Sequence, residues 1–280
     1  MGLCLCVPNT TGIPTDAARE AILNSSSGEG RLQIMRLDDW DACLDVNARA
    51  LCGTADADGE ATGNWCLGHS GIEDINNPER LSVFRWYASM GMYLNWQHTE
   101  SGFCVGGFDE GALGAACTVV PMPRGYKATE GFITETVLPA VLNFKLVAAG
   151  KAPTCLTKKD DDWRKGFFAK GTGENGLFAM QKKGHGKYFP DTAHFYIALM
   201  MVKPDLQGKG LCSLVMRAVC RAADALGWPV FLETGGLRNV AVYKRFGFKV
   251  LEQCSLSAPG YDSYDEVYLM ARDAVKEGWK

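Results

Sequence analysis

AHFYIALMMVKPDLQGKGLCSLVMRAVCRAADALGWPVFLETGGLRNVAVYKRFGF, residues 193–248, reads as strand, glycine turn, helix, strand and short helix with almost no slack between them. His194 to Val202 is an apolar run too short for a buried helix and closed by Lys203-Pro204, which fits a central strand covered on both faces. Asp205 to Cys212 follows as a glycine-bearing turn that opens directly into a helix. In that helix Leu211, Leu214, Val215, Ala218, Val219, Ala222 and Leu226 recur at the helical period, and Gly227 and Pro229 supply the stop. Free N–H groups and the positive end of the helix dipole converge at such a junction, and glycine lets a phosphate come close. The stretch is built to hold an anion.

Spacing narrows the kind of anion. A Walker loop needs Gly-x-x-x-x-Gly-Lys-Ser/Thr and a dinucleotide turn needs Gly-x-Gly-x-x-Gly; Gly208-Lys209-Gly210-Leu211-Cys212-Ser213 satisfies neither. Gln207-x-x-Gly210-x-Cys212 instead resembles the pyrophosphate loop of the GNAT acetyltransferases, Gln/Arg-x-x-Gly-x-Gly/Ala, with Cys212 departing from the pattern at its last position. Downstream, Asn239, Tyr243, Gly247 and Phe248 resemble the family's Asn-x-x-Ala-x-x-x-Tyr-x-x-x-Gly-Phe in a shortened form. From Thr192 to Arg272 the chain is most similar to the small-molecule branch of the family, which includes puromycin N-acetyltransferase. The resemblance implies a mixed α/β fold. Its central sheet is mostly antiparallel with helices on both faces, and its fourth and fifth strands splay apart.

Acyl transfer from a thioester to an amine requires a neutral amine, a stabilised oxyanion and a proton for the departing thiolate. By resemblance, acetyl-CoA is the donor and its pantetheine arm lies in the splay against the backbone of Met200, Met201 and Val202. One of those N–H groups would face the thioester oxygen, a contribution of roughly 3–4 kcal/mol in other acyl-transfer enzymes. Gln207, Gly208, Lys209, Gly210, Leu211 and Cys212 would hold the pyrophosphate, with Lys244 or Arg245 nearby, and Asn239 the cofactor's amide region. Tyr243 is the family-matched acid, since a phenol keeps its proton at neutral pH. Its structural alternative is a half-buried aromatic at a helix–sheet contact.

The base is not supplied by the motif. Where many family members carry a carboxylate on the fourth strand, this chain has Tyr196. Glu233, ending the fifth strand, is the replacement, with burial able to raise its proton affinity. Its alternative is a structural carboxylate bonded to backbone. His194 and Tyr196 share one face of their strand and are further candidates, though His194 better suits a satisfied core or rim histidine.

The whole chain sets the bounds. Of 280 residues, 47% are hydrophobic, ample for a core. Twenty-nine basic residues against 32 acidic, dispersed, argue against nucleic-acid binding. Eleven cysteines without a Cys-x-x-Cys pair, and four unclustered histidines, point to no disulfide framework, no metal and a reducing, cytoplasmic setting. No apolar run reaches membrane-spanning length. Gly2, Cys4 and Cys6 hint at acylation, but position six is Cys where myristoylation wants Ser or Thr.

In order, residues 1–30 read as a flexible leader and 31–280 as one domain. Arg31–Leu37 is a strand, Trp40–Leu51 a helix, Cys52–Asn77 a loop and Glu79–Gln97 an aromatic-rich helix. Phe103–Phe108 and Ala112–Val120 form a hairpin through Asp109-Glu110-Gly111, ended by Pro121 and Pro123. Residues 124–190 are an insertion with a helix over 137–148, the polar run Asp160-Asp161-Asp162 and a Gly-x-Gly-x-x-Gly decoy at Gly171–Gly176 that no strand precedes. Insertions of this kind commonly form a lid or pocket wall. Lys249–Leu256 and Glu266–Arg272 close the sheet. The expectation is an acetyl-CoA-dependent N-acetyltransferase acting on a primary amine of a small molecule. The alternatives are a peptide or protein amine as acceptor, or a non-catalytic acyl-CoA-binding module. The sequence leaves the oligomeric state open.

Overall fold

Among the described residues, seven strands form one sheet in the order β1-β2-β3-β4-β5-β7-β6, antiparallel throughout except where β4 meets β5. The computed structural model describes residues 15–24, 30–54, 61–67, 71–96, 103–122, 124, 148–151 and 162–275. The strands are β1 (Leu32–Ile34), β2 (Phe103–Asp109), β3 (Ala112–Met122), β4 (His194–Val202), β5 (Val230–Gly235), β6 (Lys249–Leu256) and β7 (Tyr264–Arg272). The helices are α1 (Thr15–Asn24), α2 (Trp40–Cys52), α3 (Ala61–Leu67), α4 (Arg80–Trp96), α5 (Asp162–Thr172), α6 (Leu177–Tyr188), α7 (Leu211–Leu226) and α8 (Leu237–Lys244).

The sheet separates two cores. On one face α2, α4, α5 and α6 gather around Trp40, Phe84, Phe167, Phe189 and Phe231. On the other, α1 and α7 pack on Val105, Phe195, Leu232 and Met270, with Val215 and Val219 supplied by the apolar stripe of α7. Each such side chain removed from water contributes roughly 1.5–3 kcal/mol. α7 lies close because the strands beneath it are bare. A Cβ on Gly107 would stand 2.9 Å from Val215, and one on Gly114 would meet Leu206 at 2.5 Å and Leu211 at 2.6 Å. Leu206 and Leu211 bracket the glycine turn, so the turn is pinned by two leucines resting on the naked backbone of β3.

The fold follows the sequence reading with several differences, among them the helices α5 and α6 in the part of 124–190 read as a polar, glycine-rich segment. A helix, α1, forms within residues 15–24 of the expected leader, with Ile22 fully buried, and α3 forms inside the expected loop 52–77. β3 runs on through Pro121 to Met122, because Pro121 needs no N–H of its own to stay in register opposite Phe195. The decoy at Gly171–Gly176 is the end of α5 and the turn into α6. The Glu110-Gly111 turn is as expected, both residues having positive φ (48° and 81°) in a two-residue hairpin. The helix expected over 137–148, except Ala148, and Asp160, Asp161, Gly2, Cys4 and Cys6 lie outside the described residues.

One buried ion pair ties the second half together. Arg272, 2% exposed, donates from both Nη atoms to Asp224 at 2.7 Å and from Nε to the Phe246 carbonyl at 2.9 Å. Asp224 also accepts the Val275 N–H at 2.7 Å. The end of α7, the turn after α8 and the end of β7 are thereby joined. Replacing one partner strands the other charge out of water, so Arg272→Met should cost about 3–5 kcal/mol in urea unfolding, and the double variant with Asp224→Leu should recover much of that loss.

Candidate active site

The site begins with a missing ladder. β4 and β5 pair only at Phe195 with Val230 and at Tyr196 with Phe231; beyond Tyr196 the two strands carry no further rungs. On its other edge β4 is fully paired with β3, interrupted by a bulge at Ala198, which lies between the rungs of Ile197 and Leu199. The bulge reverses the alternation: Phe195 and Ile197 pack on the α7 face, and past it Met200 and Val202 do. Lys203 donates its N–H to Gly114, so by strand alternation Leu199 and Met201 also turn their main-chain groups to β3. Met200 and Val202 turn theirs toward the splay. Of the three backbone positions expected there, Met201 faces the other way.

Where β4 ends, the turn Gln207–Gly210 delivers the chain into α7. Gly208 and Gly210 have φ of 81° and 84°, and a Cβ on either would find nothing within 4 Å. Helix geometry leaves the N–H groups of Leu211, Cys212 and Ser213 without helical partners, aimed at this open ground. Burial pushes the Cys212 thiol up to about 11, so it stays neutral and does not repel an anion. Lys209 leans back to Asp109 at 3.6 Å. Arg238, at the start of α8, reaches Gln207 Oε1 at 3.4 Å and so brings a cation to the turn. The sequence reading gave Arg238 no role.

α8 follows β5 directly, so α7 and α8 both start at the C-terminal edge of the parallel pair, where open α/β sheets bind ligands. Asn239 donates to the Gly235 carbonyl at 3.0 Å, fastening α8 to the end of β5. Tyr243, one turn further, is half-buried with its ring 5.8 Å from Phe248. Lys244 and Arg245 are exposed.

The opposite face holds the carboxylate. The Tyr196 hydroxyl donates to Glu233 Oε1 at 2.5 Å, and Gln181 of α6 donates its amide to the same oxygen. The tyrosine standing where the family pattern has an acid thus grips the acid on the next strand. His194 does not join them. Its Nδ1 lies 2.9 Å from the Thr192 carbonyl, which can only accept, so the proton sits there and Nε2 accepts from His185 Nδ1 at 3.0 Å. Both nitrogens are engaged and the ring is fully buried, so His194 is the satisfied core histidine of the two readings. Gln181 and His185 went unnoticed in the sequence; their only signal is the i, i+4 spacing that puts both on one face of α6. Among the described residues no group of His, Cys, Asp and Glu is arranged to hold a metal, and no helix is long and apolar enough to cross a membrane.

Residues 156–248, a third of the chain, match the acetyltransferase (GNAT) family. Over that segment, which takes in α5, β4 and the glycine turn and ends at the residue after the α8 turn, the chain is similar to acetyltransferases of the GNAT type. Arylalkylamine N-acetyltransferase 2 from Aedes aegypti is similar in structure at 12% identity and a TM-score of 0.47, covering 88% of this chain and 99% of that one. A histone acetyltransferase and related acetyltransferase from Corynebacterium glutamicum gives 12%, 0.46, 87% and 96%, and the ribosomal-protein-S18-alanine N-acetyltransferase from Escherichia coli 11%, 0.42, 88% and 95%. None of these likenesses bears on the acceptor of the present chain.

The histidine pair makes the fold acid-sensitive. Burial, with the neighbouring His194, pushes His185 down to about 3, and burial pushes His194 down to about 4 against a favourable bond to Thr192. From about pH 6.5 downward the unfolded chain therefore binds more protons than the folded one, and stability falls with falling pH by about 1.4 kcal/mol per pH unit for each histidine. Urea midpoints should be flat above pH 7 and drop steeply between pH 6 and pH 4.5, with a shallower slope in His185→Gln.

Proposed function

We propose that the chain transfers an acetyl group from acetyl-CoA to a primary amine of a small molecule, in the manner of the small-molecule branch its motifs resemble. The observation that carries this reading is the parting of β4 and β5 beside an open glycine turn. A CoA thioester fits these residues. Its pyrophosphate has the free N–H groups of Leu211 to Ser213, unfilled space at Gly208 and Gly210, a neutral Cys212 thiol and the Arg238 guanidinium. Its arm has the main-chain groups of Met200 and Val202, which β5 leaves unpaired. When bound, acetyl-CoA supplies the acetyl group as a thioester.

The chain's own groups divide the proton work. Glu233, oriented by Tyr196, is the base that takes a proton from the acceptor ammonium. Met200 or Val202 offers an N–H to the developing oxyanion. Tyr243 holds the proton that the departing thiolate needs. A small acceptor is favoured over a peptide because α6, from the segment between β3 and β4, lies over the carboxylate face through Gln181 and His185, where an extended chain would need a groove. The eight described cysteines are free thiols, most of them buried, in keeping with a cytoplasmic setting.

Thiol release from acetyl-CoA, followed with aromatic amines, aliphatic amines and amino-terminal peptides, tests the reading. We expect turnover with small amines, a loss of roughly 100-fold or more in kcat for Tyr243→Phe and for Glu233→Gln with CoA binding retained, and weakened CoA binding for Gly210→Val. Release with peptides alone would transfer the reading to a peptide acceptor, and CoA binding without release to a non-catalytic module.

A further inference from the structure

The helix that roofs the carboxylate is attached to it by specific polar contacts. α6 approaches β5 and β7 so closely that a Cβ on Gly184 would stand 3.1 Å from Phe231 and 3.2 Å from Leu269. On either side of that contact it sets down a polar anchor. Gln181 donates to Glu233 Oε1 and lies 3.4 Å from the Tyr196 hydroxyl; His185 meets His194 at 3.0 Å and presents its ring edge-on to Tyr196 at 4.7 Å between centroids. Glu233 is therefore fixed by two donors from different elements, Tyr196 on β4 and Gln181 on α6, converging on one oxygen.

We propose that Gln181 is a positioning residue, holding Glu233 in one orientation and in its ionised form so that it meets the acceptor amine as a base; this rests on the reading of Glu233 given above. A donor to a carboxylate stabilises the charged form, so each of the two donors on Oε1 favours it. The described elements around Glu233 carry further titratable groups. From β4 they are Tyr196, already a donor, and His194; from α6 they include His185. Both histidines are buried and neutral above about pH 4. β7 brings Leu269 opposite Glu233, and α3, packed near β5, has no charged residue, Cys66 being its one titratable side chain. Gln181 is a neutral group by which the inserted segment touches the proposed base.

The test uses the full chain labelled with carboxyl-¹³C glutamate, the Glu233 resonance being assigned by its disappearance in Glu233→Gln. In Gln181→Met, nearly isosteric and without a donor, the titration midpoint of Glu233 should rise by about one pH unit; Tyr196→Phe sets the scale for losing the other donor. The acid limb of kcat/KM should move with it, with KM for acetyl-CoA unchanged. An unchanged Glu233 midpoint in folded Gln181→Met overturns the proposal, and Gln181→Ala gives the same reading if the first variant does not fold. If Glu233→Gln keeps full kcat while Gln181→Met shifts the midpoint, the assignment of Glu233 as base falls and the positioning contact stands. If Glu233→Gln loses kcat and the midpoint does not move, only the role of Gln181 falls.

Discussion

A central strand that stops pairing on one edge leaves polar main-chain groups with nothing to bond inside a protein that cannot cheaply tolerate them. β4 carries no rung to β5 beyond Tyr196, and its residues from Ala198 onward are only partly buried, so the open edge is within reach of a ligand. The bulge at Ala198 turns the next residues so that Met200 and Val202 present the unsatisfied groups. β5 departs into α8, and β4 departs through a glycine turn into α7, so both helices begin beside the opening. This gap is where the proposed CoA arm would lie.

The turn itself is steadied from below. Leu206 and Leu211 rest on Gly114, Val215 rests over Gly107, and the far end of α7 is held by the Arg272–Asp224 pair. An anion site made of main-chain N–H groups has no side chain to adjust, so its precision depends on the packing that fixes the backbone. A second buried cation serves the other half of the molecule. Arg80, 2% exposed, donates to the carbonyls of Cys52 and Ile72 and to Asn64, gathering the end of α2, α3 and the start of α4 around one guanidinium.

Residues 193–248 were legible because local signals there agree: an apolar run, a glycine turn, a helical stripe and a stop. The boundaries of β4 and the start of α7 come directly from Pro204, Gly210 and Leu211. The bulge at Ala198 was not legible, since an unbroken apolar run offers no alternation to interrupt. α1 and α3 were hidden by small and polar residues whose helical state depends on what they pack against, as Ile22 does in the second core. Glu233 was readable as a carboxylate at a strand end. Its partnership with Tyr196 and Gln181 depends on side chains separated by 37 and 52 residues, which spacing along a chain does not report. His194 shows the converse: its strand position suggested chemistry, and only the approach of α6 shows its lone pair already spent on His185.

α6 reaches the carboxylate from a segment threaded between two sheet strands. On the reading proposed above, one piece of polypeptide would both border the approach to Glu233 and condition how Glu233 behaves. Changing that segment to admit a different guest would simultaneously retune reactivity, so selectivity and rate in this molecule would be inherited as one trait, never traded independently.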